Sequence, residues 1–360
     1  MGRKYNFYAG PAILPEPALE ELQAEIRDYQ GTGVSLVETS HRSKEYDAVH
    51  NDAKDTFRSL LSVPESHEIL FLGGGATMQF GMVPMNFLQG GSCDFTLTGA
   101  WAKKALSDAK KFGNVELLFD GSESGFTTLP DPATLRPHAD ARYLHITSNE
   151  TIGGLQWKSF PDAGDVPLVA DMSSDIMSRP VDLAPFGLVY AGAQKNLGPA
   201  GVTVVIIRKD MLEKEAKNLP AYLSYSTHAE KNSLYNTPPV FSIWALSLVL
   251  HWIEKLGGLE AIAERNKMKS ALLYGVIDEL SDFYSCPVQK EYRSDMNVVF
   301  RTPSEELDKK LVAGAEEKGM LGLKGHRSVG GCRASVYNAM PLAGVETLAG
   351  YMRDFAKANG

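Results

Sequence analysis

The chain has little cysteine, no long apolar run and no excess of positive charge, and each shortage removes a class of protein. Cysteine occurs three times in 360 residues, at Cys93, Cys286 and Cys332. An odd number, so widely spaced, builds neither a disulfide framework nor a metal site, and a reducing compartment is expected. The longest apolar stretch, Val202 to Ile207, is far too short to span a bilayer. No apolar segment follows the basic start at Arg3-Lys4, so no signal peptide is expected either. Lysine and arginine number 36 against 44 acidic residues, and a net charge of −8 lacks the basic footprint that non-specific nucleic-acid binding needs. A small anionic ligand stays open, because a local arginine cluster holds one inside an acidic protein. What remains is a cytoplasmic globular composition without repeats, 44% hydrophobic and 22% charged, long enough for a large core.

Apolar periodicity organises that length. Leu19, Leu22 and Ile26 recur at helical spacing before a stop at Gly31, and Tyr46, Val49, Phe57 and Leu61 mark a second helix. Short apolar runs then follow at intervals: Ile69–Leu72, Phe95–Thr98, Val115–Phe119, Tyr143–Thr147, Leu168–Asp171, Leu188–Tyr190 and Val202–Ile207. Helical segments such as Trp101 to Phe112 separate several of them, which predicts an α/β fold with a mainly parallel central sheet covered on both faces. Beyond Pro239 two long helical stretches lead into a strand at Met296–Arg301, a helix near Glu305–Lys318, a strand at Ala334–Tyr337 and a closing helix. The expected division is an arm over 1–15 packing with the small domain, a large domain over 16–264 and a smaller α+β domain over 265–360.

Four segments carry chemistry. In Tyr190-Ala191-Gly192-Ala193-Gln194-Lys195-Asn196-Leu197-Gly198 a lysine stands between two strand patterns among small residues. Most lysines are solvated charges. Glycines that let backbone approach a ligand favour a buried amine instead, and such an amine loses its proton and serves as a Schiff-base nucleophile. Asp171 ends an apolar strand, where α/β sheets place ligands. It is either a loop or capping carboxylate or the partner that keeps the pyridine nitrogen of pyridoxal phosphate protonated. Gly73-Gly74-Gly75-Ala76-Thr77 joins a strand to a helix start, which is a plain tight turn or a phosphate site made of free N–H groups. Trp101 is a core tryptophan or a stacking platform for a planar ring.

Taken together, these segments resemble the phosphoserine aminotransferase family among the class V, fold-type I pyridoxal-phosphate enzymes. The resemblance runs the length of the chain: Asn6-Phe7-Tyr8-Ala9-Gly10-Pro11-Ala12, Ser40-His41-Arg42-Ser43-Lys44-Glu45, the glycine turn, Asn149-Glu150-Thr151-Ile152, Ala191 to Asn196, Asn236-Thr237-Pro238-Pro239, Lys324 to Gly331, and Arg333 to Pro341. It implies pyridoxal 5′-phosphate bound through Lys195, with Asp171 on the pyridinium nitrogen, Trp101 stacked on the ring and Thr151 near the phenolic oxygen. The backbone of Ala76 and Thr77 and the Gln194 side chain would hold the phosphate, joined by Asn236 and Thr237 of a neighbouring subunit. A homodimer with active sites at its interface follows.

The resemblance assigns the substrate α-carboxylate to Arg333, and the distal carboxylate or phosphate to His41, Arg42, His326 and Arg327, the first two from across the interface. Planar guanidinium forks suit glutamate, 3-phosphohydroxypyruvate and phosphoserine alike. The implied reaction is reversible transamination in serine biosynthesis, with 4-phosphohydroxythreonine of vitamin B6 synthesis as a related substrate. No nucleic acid, membrane or metal is expected. Where some relatives carry an arginine directly after the glycine turn, this chain has Ala76-Thr77, which removes one positive contact to the distal anion. The alternatives are a cysteine desulfurase or another class V aminotransferase, and a phosphate-binding protein without catalysis. A desulfurase requires a nucleophilic cysteine on a mobile loop, whereas Cys332 sits in a strand-like block beside Arg333.

Overall fold

The computed structural model describes residues 2–360. In chain order the first half comprises β1 (Tyr5–Asn6), α1 (Glu16–Glu25), α2 (Lys44–Leu61), β2 (His67–Leu72), α3 (Gly75–Phe87), β3 (Ser92–Leu97), α4 (Ala100–Ala109), β4 (Asn114–Asp120), β5 (Ala141–Thr147), β6 (Asn149–Glu150), β7 (Leu155–Gln156) and β8 (Leu168–Asp171). The second half comprises β9 (Phe186–Gly192), β10 (Thr203–Arg208), α5 (Lys209–Glu213), α6 (Tyr225–Glu230), α7 (Val240–Lys255), α8 (Gly258–Glu279), β11 (Asn297–Phe300), α9 (Glu305–Glu317), β12 (Met320–Leu321), β13 (Cys332–Ser335) and α10 (Leu342–Asn359).

All seven apolar runs become strands of one seven-stranded sheet, in the order β2-β10-β9-β8-β5-β3-β4. Every pair not involving β10 is parallel, whereas β10 runs antiparallel to both β9 and β2. The cause is the link from Ala193 to Val202, which holds turns and no helix, so the chain doubles back instead of crossing over. On the β5-β8-β9 side the parallel register brings Asp171 opposite both Thr147 and Tyr190, so β5 and β8 end level and β9 runs two residues further. Those carboxyl ends form the floor on which the site is built.

Helices cover both faces. α2 turns its apolar stripe of Tyr46, Val49, Ala53, Phe57 and Leu61 inward and packs on the largely buried α7. Among the described residues no single helix is long and apolar enough to cross a membrane. A second cluster of buried apolar residues joins Leu273 and Ile277 of α8, Val298, Leu311, Ala334, Leu348 and Met352, and includes Phe7 and Ile13 from the first residues of the chain. There β1 pairs in parallel with β12, and β11 pairs antiparallel with β13. The amine of Lys269, itself buried, donates to the carbonyls of Val336, Tyr337 and Asn338 at 2.6–3.4 Å, which satisfies an ammonium inside this layer.

Two boundaries differ from the periodicity. The first helix stops at Glu25 instead of running to Gly31, because Tyr29 N–H bonds the Val34 carbonyl and the Asp28 carboxylate takes the Gly33 N–H, drawing the backbone into a turn. The last strand lies at Cys332–Ser335, not Ala334–Tyr337. After Ser335 the ladder keeps one in-register bond, Val336 N–H to the Met296 carbonyl, but its reciprocal is lost because Met296 N–H turns to Ser294 Oγ and the Val336 carbonyl accepts from Lys269.

Candidate active site

A cavity of about 300 Å³ opens above the carboxyl ends of β5, β8 and β9. Asp171, the last residue of β8, is buried at its base, where its carboxylate accepts one hydrogen bond from the Ser173 N–H at 2.9 Å. Burial pushes this carboxyl above the ordinary aspartate range, and the nearby Lys195 amine pulls it back. Lys195 follows β9 by three residues and enters from the wall, its Nζ donating to Thr151 Oγ1 at 2.7 Å. Burial lowers the amine to about 8, against the opposing pull of the Asp171 and Glu150 carboxylates. Trp101, in the first turn of α4, places its ring centroid 5.5 Å from the same Nζ, and its indole N–H is buried without a partner.

Across the cavity stands Arg333 of β13, one of whose Nη groups donates to the Thr151 carbonyl at 3.2 Å. Its Nε–H is buried and unpaired, so part of the guanidinium fork awaits an acceptor. His326 lines the same cavity, and burial together with Arg333, Arg327 and Lys104 lowers its imidazole. At the opposite end α3 begins at Gly75 without a side-chain cap, so first-turn N–H groups point at the cavity through Gly75, Ala76 and Thr77. Gly74 makes that turn possible: it lies at φ 88°, and a Cβ there would come within 2.6 Å of Met78 Cβ. Gln194 completes this end, and a Cβ on Gly192 would approach its Oε1 to 2.6 Å.

Chemically, the cavity offers a part-neutral amine, a buried carboxylate, an aromatic wall, an anion-binding helix end and an unsatisfied guanidinium. Comparison with known proteins gives the set its context. Residues 4–348 match the family model "Aminotransferase class-V". The chain is 54% identical to the phosphoserine aminotransferase of Geobacillus kaustophilus over 358 residues, which is 99% of each chain. It superposes on the phosphoserine aminotransferase of Bacillus circulans subsp. alkalophilus with a TM-score of 0.98 at 52% identity, covering 99% of both. The pyridoxal-phosphate-bound enzyme of Trichomonas vaginalis superposes with a TM-score of 0.89 at 38% identity, covering 98% of this chain and all of that one.

The chain belongs to the phosphoserine aminotransferase family, among the class-V aminotransferases.

The residues of this aminotransferase fit the cofactor of its family on structural grounds. A protonated ring nitrogen is the cation that a buried Asp171 with one N–H donor lacks, and a phosphate satisfies the uncapped start of α3. Of the residues read from the sequence, Ala76, Thr77, Trp101, Thr151, Asp171, Gln194, Lys195, His326 and Arg333 line one cavity. The others stand apart within a single chain. Asn236 and Thr237 are exposed on a separate hollow of about 280 Å³ beside Gly73 and Pro238. His41 and Arg42 lie in the turn that leads into α2, and Arg327 is exposed on the loop before β13.

Five residues of the cavity escaped the sequence reading as site members: Ala9, Gly10, Gly75, Ile152 and Ser173. Ser173 carried a signal, since a buried aspartate at a strand end commonly takes an N–H from two residues onward. Ala9 and Gly10 carried none locally. They reach the site because the Ala12 N–H bonds the Gln194 carbonyl at 2.8 Å and Tyr337 donates to the Ala9 carbonyl at 2.7 Å. The desulfurase alternative finds no nucleophile here. Cys332 is buried, and burial with Asp308 pushes its thiol far above the ordinary range.

Proposed function

We propose that this chain catalyses reversible transfer of an amino group from L-glutamate to 3-phosphohydroxypyruvate, giving O-phospho-L-serine and 2-oxoglutarate, with pyridoxal 5′-phosphate as cofactor. The observation that carries the reading is the Lys195 amine in one cavity with Asp171, Trp101 and Arg333, in a chain half identical over its full length to phosphoserine aminotransferases. When bound, the cofactor supplies an aldehyde that condenses with amines and a ring that takes up an electron pair.

The chain's own groups do the rest. Lys195, lowered to about 8, accepts and releases a proton at Nζ close to neutral pH, which removing a proton from an amino-acid α-carbon requires. Thr151 orients that amine through its hydroxyl, and Asp171 holds the ring proton. Trp101 walls the ring, while Ala76, Thr77 and Gln194 hold the phosphate. Arg333 takes the α-carboxylate common to both amino acids, and His326 and Arg327 the distal anion.

The same reading includes a homodimer whose second copy contributes His41, Arg42, Asn236 and Thr237. It is supported by the exposure of Val34, Val37, Tyr235 and Phe241 beside these residues, and by the packing of α7 on the turn at 36–38, which puts both loops on one side of the molecule. The division near residue 265 is supported by α8, whose Leu259 and Ile262 join the large apolar cluster while Leu273 and Ile277 join the smaller. A cytoplasmic location is supported by three unbridged cysteines.

The direct test is a pair of half-reactions on the purified holoenzyme. Glutamate alone should discharge the visible absorption of the bound cofactor, and 3-phosphohydroxypyruvate alone should then restore it, as ping-pong transfer requires. Restoration by other 2-oxo acids but not by the phosphorylated one would remove the substrate assignment.

Two further outcomes follow. Because the neutral amine is the nucleophile, uptake of pyridoxal phosphate by the apo-protein should quicken about ten-fold per pH unit and level off above pH about 8. A profile still rising at pH 10 in stopped-flow absorption would mean an amine without the expected lowering. Mixing inactive Lys195→Ala protomers with impaired Arg42→Ala protomers should restore turnover to roughly a quarter of wild type, since half the dimers then hold one intact site. No recovery after verified subunit exchange would place Arg42 in its own chain's site.

A further inference from the structure

Glu150 is among the most deeply buried carboxylates of the described residues, 1% exposed, and the reaction described above gives it no task. It lies on the short strand β6, and its side chain reaches the start of α4, far away in sequence. There Trp101 N–H donates to Glu150 Oε2 at 3.1 Å and Ala102 N–H donates to Oε1 at 2.9 Å. α4 needs this help, because its own capping position is Gly99, which has no side chain to offer. The glycine is set by space, since a Cβ on Gly99 would fall 2.5 Å from Glu150 Cδ and 2.7 Å from Oε2. The backbone of Glu150 is anchored as well, with its carbonyl accepting from Gly154 N–H at 2.7 Å. The next residue is Thr151, whose hydroxyl accepts from Lys195 and whose carbonyl accepts from Arg333.

We propose that Glu150 is a positioning residue, a long-range cap that clamps the first turn of α4 and so fixes the Trp101 ring relative to Lys195 and Thr151. The inference rests on the cofactor reading above. A carboxylate spanning two successive N–H groups at a helix start is held by charge-assisted bonds and by the helix dipole, so the clamp is stiff. Burial pushes its carboxyl up to about 7, while the two N–H donors and Lys195 favour the anion. The stacking wall therefore hangs on the Glu150 side chain, through the Trp101 N–H, and the hydroxyl that orients the amine belongs to the next residue of the same backbone.

The test uses apo-protein and pyridoxal phosphate, measuring the dissociation constant by equilibrium dialysis and the induced circular dichroism of the bound cofactor. Glu150→Gln keeps the shape but turns an NH2 toward one of the two donors, so affinity should fall about ten-fold, the scale of one lost charge-assisted bond. The induced dichroism should diminish as the ring wall loosens, while the thermal midpoint of the apo-protein serves as the control for folding. Gly99→Ala, which displaces the carboxylate without removing it, should reproduce both changes. In a Trp101→Leu background, Glu150→Gln should then cost less than about two-fold more, because the two act through one contact. Additive losses in the double variant, or Glu150→Gln with wild-type affinity and dichroism, would overturn the proposal. Failure of the wild-type apo-protein to bind pyridoxal phosphate would instead defeat the cofactor reading beneath it.

Discussion

Lys195→Ala should lose turnover by about 10⁴-fold or more while the protein stays folded and keeps a weakened hold on pyridoxal phosphate, since no other amine of the described residues lines the cavity. The size of the loss follows from two roles in one atom. In the proposed reaction the Nζ that anchors the cofactor is also the group that moves the proton, and water does not replace a base held by Thr151 at 2.7 Å. Burial makes the second role possible: at pH 7 roughly a tenth of an amine lowered to about 8 is neutral, far more than for a solvated lysine. Borohydride reduction of the wild-type holoenzyme followed by peptide mapping should label residue 195, and the variant should show no label there. A variant that retains turnover, or a label on another lysine, ends the assignment.

Arg333→Ala should raise the KM for glutamate and for 3-phosphohydroxypyruvate together, each by about 10- to 100-fold, the range for removing a bidentate charge-assisted contact. The geometry supports a shared effect. Arg333 reaches the cavity from β13 with one donor resting on the Thr151 carbonyl and its buried Nε–H unpaired, and in the proposed reaction that fork takes the carboxylate both substrates carry. Arg333→Lys should recover part of the loss, because the charge returns without the planar fork. Steady-state kinetics with each substrate varied in turn distinguishes the outcomes, and a rise in KM for only one of them sinks the role.

Much of the frame was legible in the pattern of residues. Short apolar runs bounded by glycine and polar residues announced the strands of the sheet, because strands buried on both faces need continuous apolar sequence, and only the edge strand β4 carries such a run while largely exposed. Lys195 and Asp171 could be singled out because Asp171 closes such a run and Lys195 comes a few residues after another, at the edge where ligands bind. The reversed direction of β10 was implicit in the link from Ala193 to Val202, too short for a crossover, but only the observed ladder made it definite. Glu150 was invisible as a cap. Its sequence neighbours form a two-stranded turn, and nothing near it hints that Gly99 leaves a helix start open.

The amino-acid sequence by itself determined the α/β class and most strand and helix segments, and it marked the lysine and aspartate as candidates, because these depend on local periodicity and on residue type. Tertiary structure alone decided the strand order, the neutral-leaning amine of Lys195, the deep burial of Glu150 and the meeting of Gly10, Trp101, Thr151 and Arg333 around one cavity. The physical reason is that burial and proximity are properties of packing. A lysine loses its proton, and an arginine finds its acceptor, only when segments hundreds of residues apart in the chain exclude water from the same few ångströms.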